Sequence, residues 1–306
     1  MKILVTGGAG FIGSHLVRRL IADGDVPVVV DNLSSGLREN LPEDVRLVVL
    51  DVQDDAMLEL FQRERFDAVV HLAGQTMVDV SIDKPVHDAM ENIVGGIKVL
   101  DACRHTNVKR IVFSSSAAVY GDVSEDDLPI RESQSLSPMS FYGLSKLSME
   151  RYLELYHQTY GLDYVILRFS NVFGERQGDG GEGGVISIFA KRVAEEEPVT
   201  IFGDGEQTRD FIYAGDVASG IAAALRTASV NNVYNLSTKT ETSIRQLVTY
   251  LSSVAGRKIV PKYGPPRPGD IYRSCLDNLR AARGMGWSPE TPLEEALKNT
   301  YGYFLK

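Results

Sequence analysis

The chain has 306 residues, enough for one large α/β domain or two smaller ones with a substantial buried core. Its formal charge of −9 disfavours a nucleic-acid partner, so any bound phosphate has to be met by a few placed arginines rather than a basic surface. Only Cys103 and Cys275 are present, far apart and without a metal-ligand pattern, which excludes a disulfide scaffold and leaves no metal expected. In chain order, strand patterns lie over 2–6, 26–31, 46–50, 68–72, 110–114 and 164–169. Helical patterns alternate with them over 11–23, 54–63, 85–105 and 140–160. Strands this apolar, interleaved with helices, predict a parallel sheet covered on both faces.

Beyond residue 170 the character changes. A glycine-rich loop over 178–184 precedes a helix over 185–196, then short strands over 199–202 and 233–236. A helix over 243–255, a proline-rich stretch over 261–268 and a helix over 292–303 follow. The expectation is a dinucleotide-type domain over 1–170, to which some later segments return, and a smaller mixed α/β substrate domain over 171–306. The loop over 178–184 joins the two where a cleft should open, so it reads either as a linker or as a mobile lid. No apolar run approaches the roughly 18 residues of a membrane span, and Met1 runs straight into a strand pattern with no leader. A soluble, cytoplasmic protein is expected.

The first strand breaks at once into Gly7, Gly8, Gly10 and Gly13, with Phe11 and Ile12 opening the helix. Backbone N–H groups and the positive end of the helix dipole then face outward, which suits a pyrophosphate. Side chains at Gly7, Gly10 or Gly13 would push the phosphates away or lift the helix off the sheet. P-loops and tight turns look similar, but no Gly-Lys-Ser/Thr follows. The Gly-x-x-Gly-x-x-Gly spacing points to the short-chain dehydrogenase branch of Rossmann-type, doubly wound folds. Asp31 ends the second strand 18 residues after Gly13, close to the roughly 20 expected of a carboxylate that binds the adenosine ribose. Such an acid accepts hydrogen bonds from a free diol and repels a 2′-phosphate, favouring NAD over NADP. Read alone, Asp31-Asn32 could simply cap a turn.

A reactive constellation follows the fifth strand. Ser114-Ser115-Ser116 sits at a strand end, where doubly wound sheets line their ligand crevice. Tyr142 lies 26 residues after Ser116, and Lys146 four residues further, on the same helix face. A phenol with a pKa of about 10 is a poor base at neutral pH. A nearby ammonium, with the positive ring of an oxidised cofactor, favours the phenolate, and Ser116 can pass a hydrogen bond to a substrate hydroxyl. The spacing alone would equally fit a solvated pair on an amphipathic helix. His71 reads as a packing or capping residue rather than a ligand, Cys103 as a core residue, and Trp287 and Tyr301 as C-terminal core or interface residues.

Together these motifs resemble the extended short-chain dehydrogenase/reductases of the NAD-dependent nucleotide-sugar epimerase/dehydratase family, over nearly the whole chain. The resemblance is carried by residues 6–15, Asp31-Asn32-Leu33, His71-Leu72-Ala73-Gly74-Gln75, residues 114–121 and Tyr142-Gly143-Leu144-Ser145-Lys146. It continues through residues 168–174, Phe202-Gly203-Asp204-Gly205, Arg209-Asp210-Phe211 and Arg267-Pro268-Gly269-Asp270. It implies that Phe11 and Ile12 donate N–H groups to the pyrophosphate, that Asp31 and Asn32 hold the adenosine ribose, and that Asp51-Val52 flanks the adenine. Leu72, Ala73, Gly74, Asn92, Ser114 and Lys146 would lie along the nicotinamide half. Asn171, Arg209 and Arg267 would meet the diphosphate of a UDP-sugar, and Asp270 its ribose. Family dehydratases carry an Asp-Glu pair where this chain has Ser116-Ala117, so elimination lacks its acid and 4-epimerisation through a 4-keto sugar is the reaction implied. Glucose/galactose, N-acetylhexosamine and uronic acid sugars remain open, as does another nucleotide-sugar oxidoreductase. A non-catalytic NAD sensor would have no use for Tyr142 and Lys146. Ser274 falls where the family places a residue beside the sugar, often tyrosine in relatives restricted to glucose and galactose. A homodimer is expected.

Overall fold

Apolar strands with Val, Ile and Leu on both faces have to be covered on both sides, and the chain does this with helices. The structure is a computed structural model that describes residues 1–178, 184–266 and 271–306. The first half runs β1 (Lys2–Thr6), α1 (Phe11–Ala22), β2 (Val26–Asp31), β3 (Arg46–Val49), α2 (Ala56–Glu64) and β4 (Ala68–His71). Next come α3 (Val78–Asp83), α4 (Pro85–Ala89), a π turn at Met90–Val94, α5 (Gly95–Thr106), β5 (Arg110–Ser116), α6 (Phe141–Tyr160) and β6 (Asp163–Phe169). After these lie β7 (Asn171–Phe173), α7 (Val185–Ala194), β8 (Thr200–Phe202), β9 (Thr208–Arg209), β10 (Phe211–Tyr213) and α8 (Ala214–Arg226). The chain ends with β11 (Asn232–Leu236), β12 (Thr242–Ser243), α9 (Ile244–Val254), β13 (Lys262–Gly264), α10 (Leu279–Met285) and α11 (Leu293–Phe304).

The main sheet has seven parallel strands in the order β11-β6-β5-β4-β1-β2-β3. The order reverses between β1 and β4, where chains leaving the strand ends diverge in opposite directions and open a crevice. One face packs on α1 and α8 through Leu16, Val17, Leu20 and Ile221; the other packs on α2, α5 and α6 through Phe61, Leu100, Cys103 and Met149. A separate apolar cluster joins α7, α9 and α11, with Phe189, Leu247 and Leu297 at its centre.

The structure makes three sequence expectations more specific. The strand read over 233–236 as part of the smaller region is β11, which pairs with β6 from Asn232↔Val165 to Leu236↔Phe169. A short apolar segment carries no record of which sheet edge it will pair with. The helix expected over 85–105 runs without interruption over 85–106 and takes in a π turn at Met90–Val94. Trp287 packs in the core of the main sheet, where its Nε1 donates to Ser219 Oγ at 2.9 Å and Asp216 O at 3.2 Å, while Tyr301 packs with the α7–α9–α11 cluster. His71 is buried, its Nδ1 2.7 Å from Thr6 Oγ1.

Behind the crevice, Glu150 of α6 and Arg168 of β6 form a bidentate ion pair at 2.6 and 2.9 Å, with side chains 1 and 4 % exposed. Ser115 Oγ donates to the same carboxylate at 2.5 Å, and Arg168 also donates to Tyr120 Oη at 3.0 Å. This network ties the helix bearing Tyr142 to the strands beside it. Replacing Glu150 by Ala strands a buried guanidinium and is expected to cost about 3–5 kcal/mol in denaturant unfolding, while Glu150→Met with Arg168→Met recovers most of the loss.

Candidate active site

The crevice at the switch point is a cavity of about 660 Å³ whose walls include Phe11, Ile12, Leu72, Gly74, Ser116 and Tyr142. Its floor depends on close backbone approach. Gly7 has φ +69°, and a Cβ there would lie 2.7 Å from Ala73 N. A Cβ on Gly13 would lie 2.2 Å from Gly7 O, so α1 can rest on the turn only without one. No side chain caps the first turn of α1, and Phe11 and Ile12 bring its open N–H end to the cavity. His15 secures α1 from behind: its Nε2 lies 3.0 Å from Glu175 O, and its ring meets Phe11 and Tyr213 edge-on.

At the far end, Asp31 is buried and lines the cavity. Its Oδ2 accepts from Ala9 N and its Oδ1 from Leu33 N, both at 2.9 Å, so the carboxylate also clamps the glycine turn to the loop after β2. Asn32 lines the cavity and donates through Nδ2 to Asp51 Oδ2 at 2.8 Å; Asp51 stands behind it, outside the lining, and Val52 inside. Gly10, Ala73 and Ser114 also line the cavity. Asn92 stands behind Gly74, in the π turn.

Ser140 caps α6 by accepting from Gly143 N at 3.1 Å, which places Tyr142 and Lys146 over the end of β5. Ser116 and Tyr142 both line the cavity, with the Ser116 side chain on the side of the phenol. Lys146 Nζ donates to Ser114 O at 3.0 Å and lies 5.1 and 5.8 Å from the ring centres of Phe113 and Tyr142. Burial pushes the Tyr142 phenol above its ordinary value; the neighbouring Ser116 side chain opposes this, and Asp88 adds to it. The Lys146 ammonium is held beside the Tyr142 ring by its bond to the Ser114 carbonyl. Burial lowers Lys146 itself to about 8, and Asp88 opposes that change.

Asn171, on β7, lines the cavity. Arg209, on β9, donates to Thr208 O at 2.8 Å and lies outside the lining, as does Ser274. Arg267 and Asp270 lie outside the described residues, as does the middle of the loop read as a linker or lid, whose ends Gly178 and Gly184 both line the cavity. Sequence reasoning missed Asp88 and passed over the role of Gln75, which touch each other behind the catalytic face at 2.8 Å. A lone aspartate on a short helix has no sequence signature. Among the described residues, no group of three or more His, Cys, Asp or Glu could hold a metal ion, and no helix is long and apolar enough to cross a membrane.

An open helix N-terminus, an acid closing β2 and a Ser–Tyr–Lys group at the switch point define an enzyme that binds a dinucleotide and moves protons beside it. The chain belongs to the NAD dependent epimerase/dehydratase family, whose model matches residues 3–237. It is 38% identical to a UDP-glucose 4-epimerase of Mycolicibacterium smegmatis over 310 residues, 99% of this chain and 98% of the relative. The solved UDP-glucose 4-epimerase of Thermotoga maritima with UDP-glucose superposes with a TM-score of 0.96 at 42% identity, covering 99% of this chain and 98% of that one. A UDP-N-acetylglucosamine 4-epimerase of Methanobrevibacter ruminantium, solved with UDP-N-acetylmuramic acid, gives a TM-score of 0.94 at 37% identity over 99% and 98% of the two chains.

The Lys146 shift carries a stability cost with a definite sign. Its folded value, about 8, lies below the ordinary lysine value of 10.5, so the unfolded chain holds more protons between those limits. The penalty is in force below pH 8 and is relieved as pH rises to 10.5. Lys146→Met should therefore be more stable than the parent at pH 7, on the order of 2–3 kcal/mol, with the gap closing by pH 10 in paired denaturant titrations.

Proposed function

We propose that the protein interconverts the C4 epimers of a UDP-sugar, UDP-glucose and UDP-galactose, with NAD bound and recycled. The observation that carries this reading is the gathering of Ser116, Tyr142 and Lys146 on the crevice wall, with Ala117 in place of a dehydratase acid. The cradle fits the cofactor, because Gly7 and Gly13 let the turn close against Ala73 and α1, and the uncapped α1 N-terminus then opens onto the cavity. Phe11 and Ile12 hold the pyrophosphate, Asp31 and Asn32 the adenosine ribose, with Asp51 and Val52 beside the adenine. Leu72, Ala73, Gly74, Asn92, Ser114 and Lys146 serve the nicotinamide half.

When bound, NAD would supply a reversible hydride acceptor for C4 of the sugar, the chemistry of a 4-keto intermediate reduced on its other face with no reductant consumed. Tyr142, as phenolate, removes the proton of the 4-hydroxyl and gives it back. Ser116 orients that hydroxyl and steadies the phenolate. Lys146 contributes positive charge and a donor to the cofactor ribose. Asn171, Arg209 and Arg267 receive the diphosphate and Asp270 the uridine ribose, as bidentate guanidinium chemistry suits. These residues belong to a substrate-binding region over 171–306, from which α8 and β11 return to the main sheet.

The active form we infer is a cytoplasmic homodimer. Ile82, Val86 and Met90 are exposed, as are Phe141, Leu144, Tyr152 and Leu155 on α6. The helices α3 and α4 pack against α6, and water-facing apolar groups in such number on adjacent elements suit a self-complementary contact.

Tyr142→Phe should fold and retain NAD while losing about 10²- to 10⁴-fold in kcat, measured by resolving UDP-glucose from UDP-galactose. Near-full activity would remove Tyr142 from the role of base. Turnover that needs stoichiometric added NADH would indicate a reductase instead.

A second sugar class is favoured by the small Ser274. If it leaves room beside C2, UDP-N-acetylgalactosamine should also turn over. Ser274→Tyr should then lower kcat/KM for that substrate selectively; equal effects on both sugars would show that Ser274 is not the gate.

A further inference from the structure

Asp88 is a buried carboxylate to which the reaction above assigns no role. It is 1 % exposed, on α4. Its Oδ1 accepts from Gln75 Nε2 at 2.8 Å and from Asn92 Nδ2 at 3.0 Å. Among the described residues, no Lys, Arg or His lies within ion-pairing distance of it. A carboxylate buried with amide donors alone is expensive to keep.

Its surroundings indicate what that cost serves. Asn92 Nδ2 also reaches Gln75 O at 3.0 Å and Ser145 Oγ at 3.1 Å, one residue before Lys146. Asn92 Oδ1 is buried without a partner and points at Gly74, where a Cβ would meet it at 2.3 Å and Lys146 Nζ at 4.0 Å. Carboxylate, amide and ammonium are thus packed around one stretch of backbone. Lys146 is 4 % exposed and, among the described residues, has no carboxylate in contact either. Each buried charge is left to answer the other across Asn92, and a π turn at this place is a recurrent device for such an insertion.

We propose that Asp88 is a positioning residue that sets the charge state of the Tyr142–Lys146 pair from the far side of Asn92. The inference rests on the reading of Tyr142 as the base. Asp88 pushes the Tyr142 phenol and the Lys146 ammonium upward together, against the burial that lowers Lys146. Other groups facing the pair add no competing charge. From β4, His71 is neutral, lowered to about 3 by burial and by Lys146. From β5, the pair meets the Ser114 carbonyl and the Ser116 hydroxyl. Near Asp88, Glu91 accepts from Gln53 Nε2 at 3.0 Å and lies 3.9 Å from His87, both on the cavity wall.

Asp88→Asn removes the charge while its amide oxygen can still accept both hydrogen bonds made by Oδ1. Ultraviolet difference titration of the NAD-loaded protein, each form against its own Tyr142→Phe partner, reads the phenol directly. The Tyr142 midpoint should fall by roughly one pH unit in Asp88→Asn. Both limbs of the kcat/KM profile should move to lower pH with it, because the ammonium is also lost earlier. A role in packing alone would lower the plateau and leave midpoint and limbs in place. Should Asp88→Asn fold poorly, the smaller neutral Asp88→Ser supports the same comparison, with circular dichroism confirming the fold. The phenol titration needs no turnover, so a failed epimerase assignment and a failed role for Asp88 give different results. A Tyr142 midpoint unmoved in the folded neutral variant overturns the proposal.

Discussion

Every part of the site depends on how closely backbone can approach backbone where β1 and β4 diverge. Gly13 lets α1 settle on the turn after β1, and Gly7 lets that turn meet the chain leaving β4 at Ala73. A methyl group at either place would overlap main-chain atoms that cannot move aside. With contact made, the α1 N-terminus, the carboxylate of Asp31 and the backbone of Leu72–Gly74 share one crevice. The cofactor half of the site is therefore made mostly of main chain, held in place by glycine.

The catalytic half is built differently, from side chains buried at a cost. Lys146 and Asp88 are charged groups taken out of water, each hydrogen-bonded but neither in contact with an opposite charge. Glu150 and Arg168, by contrast, face each other directly and satisfy their remaining capacity through Ser115 and Tyr120. The paired ions hold α6 against β5 and β6, and the unpaired ions sit where protonation has to change. Stability and reactivity are thus assigned to different members of one helix face, with Tyr142 and Lys146 at one end and Glu150 beyond them. A functional site that stores destabilisation beside a rigid support follows the usual relation between activity and stability.

Much of this was legible in the residues themselves. The glycine spacing, the acid at Asp31, the strand-end serines and the Tyr142–Lys146 pair are local signals. Each depends on chain geometry over a few residues, which helix and strand periodicities translate directly into shared faces. For the same reason β1 and β2 lie where the apolar runs predict them.

What the chain could not express locally was decided by long-range packing. The pairing of β11 with β6, the burial of Trp287 under the main sheet and the π turn at Met90–Val94 all depend on partners many residues away. So does the electrostatics around Tyr142. Spacing put Lys146 beside Tyr142, yet only the folded site commits its ammonium to the Ser114 carbonyl and brings Ser116 to the phenol. Asp88 is the clearest case: an unremarkable aspartate on a short helix becomes a buried charge facing the catalytic pair. Periodicity specifies which face a side chain occupies, whereas dielectric environment and neighbouring charge are properties of the assembled interior.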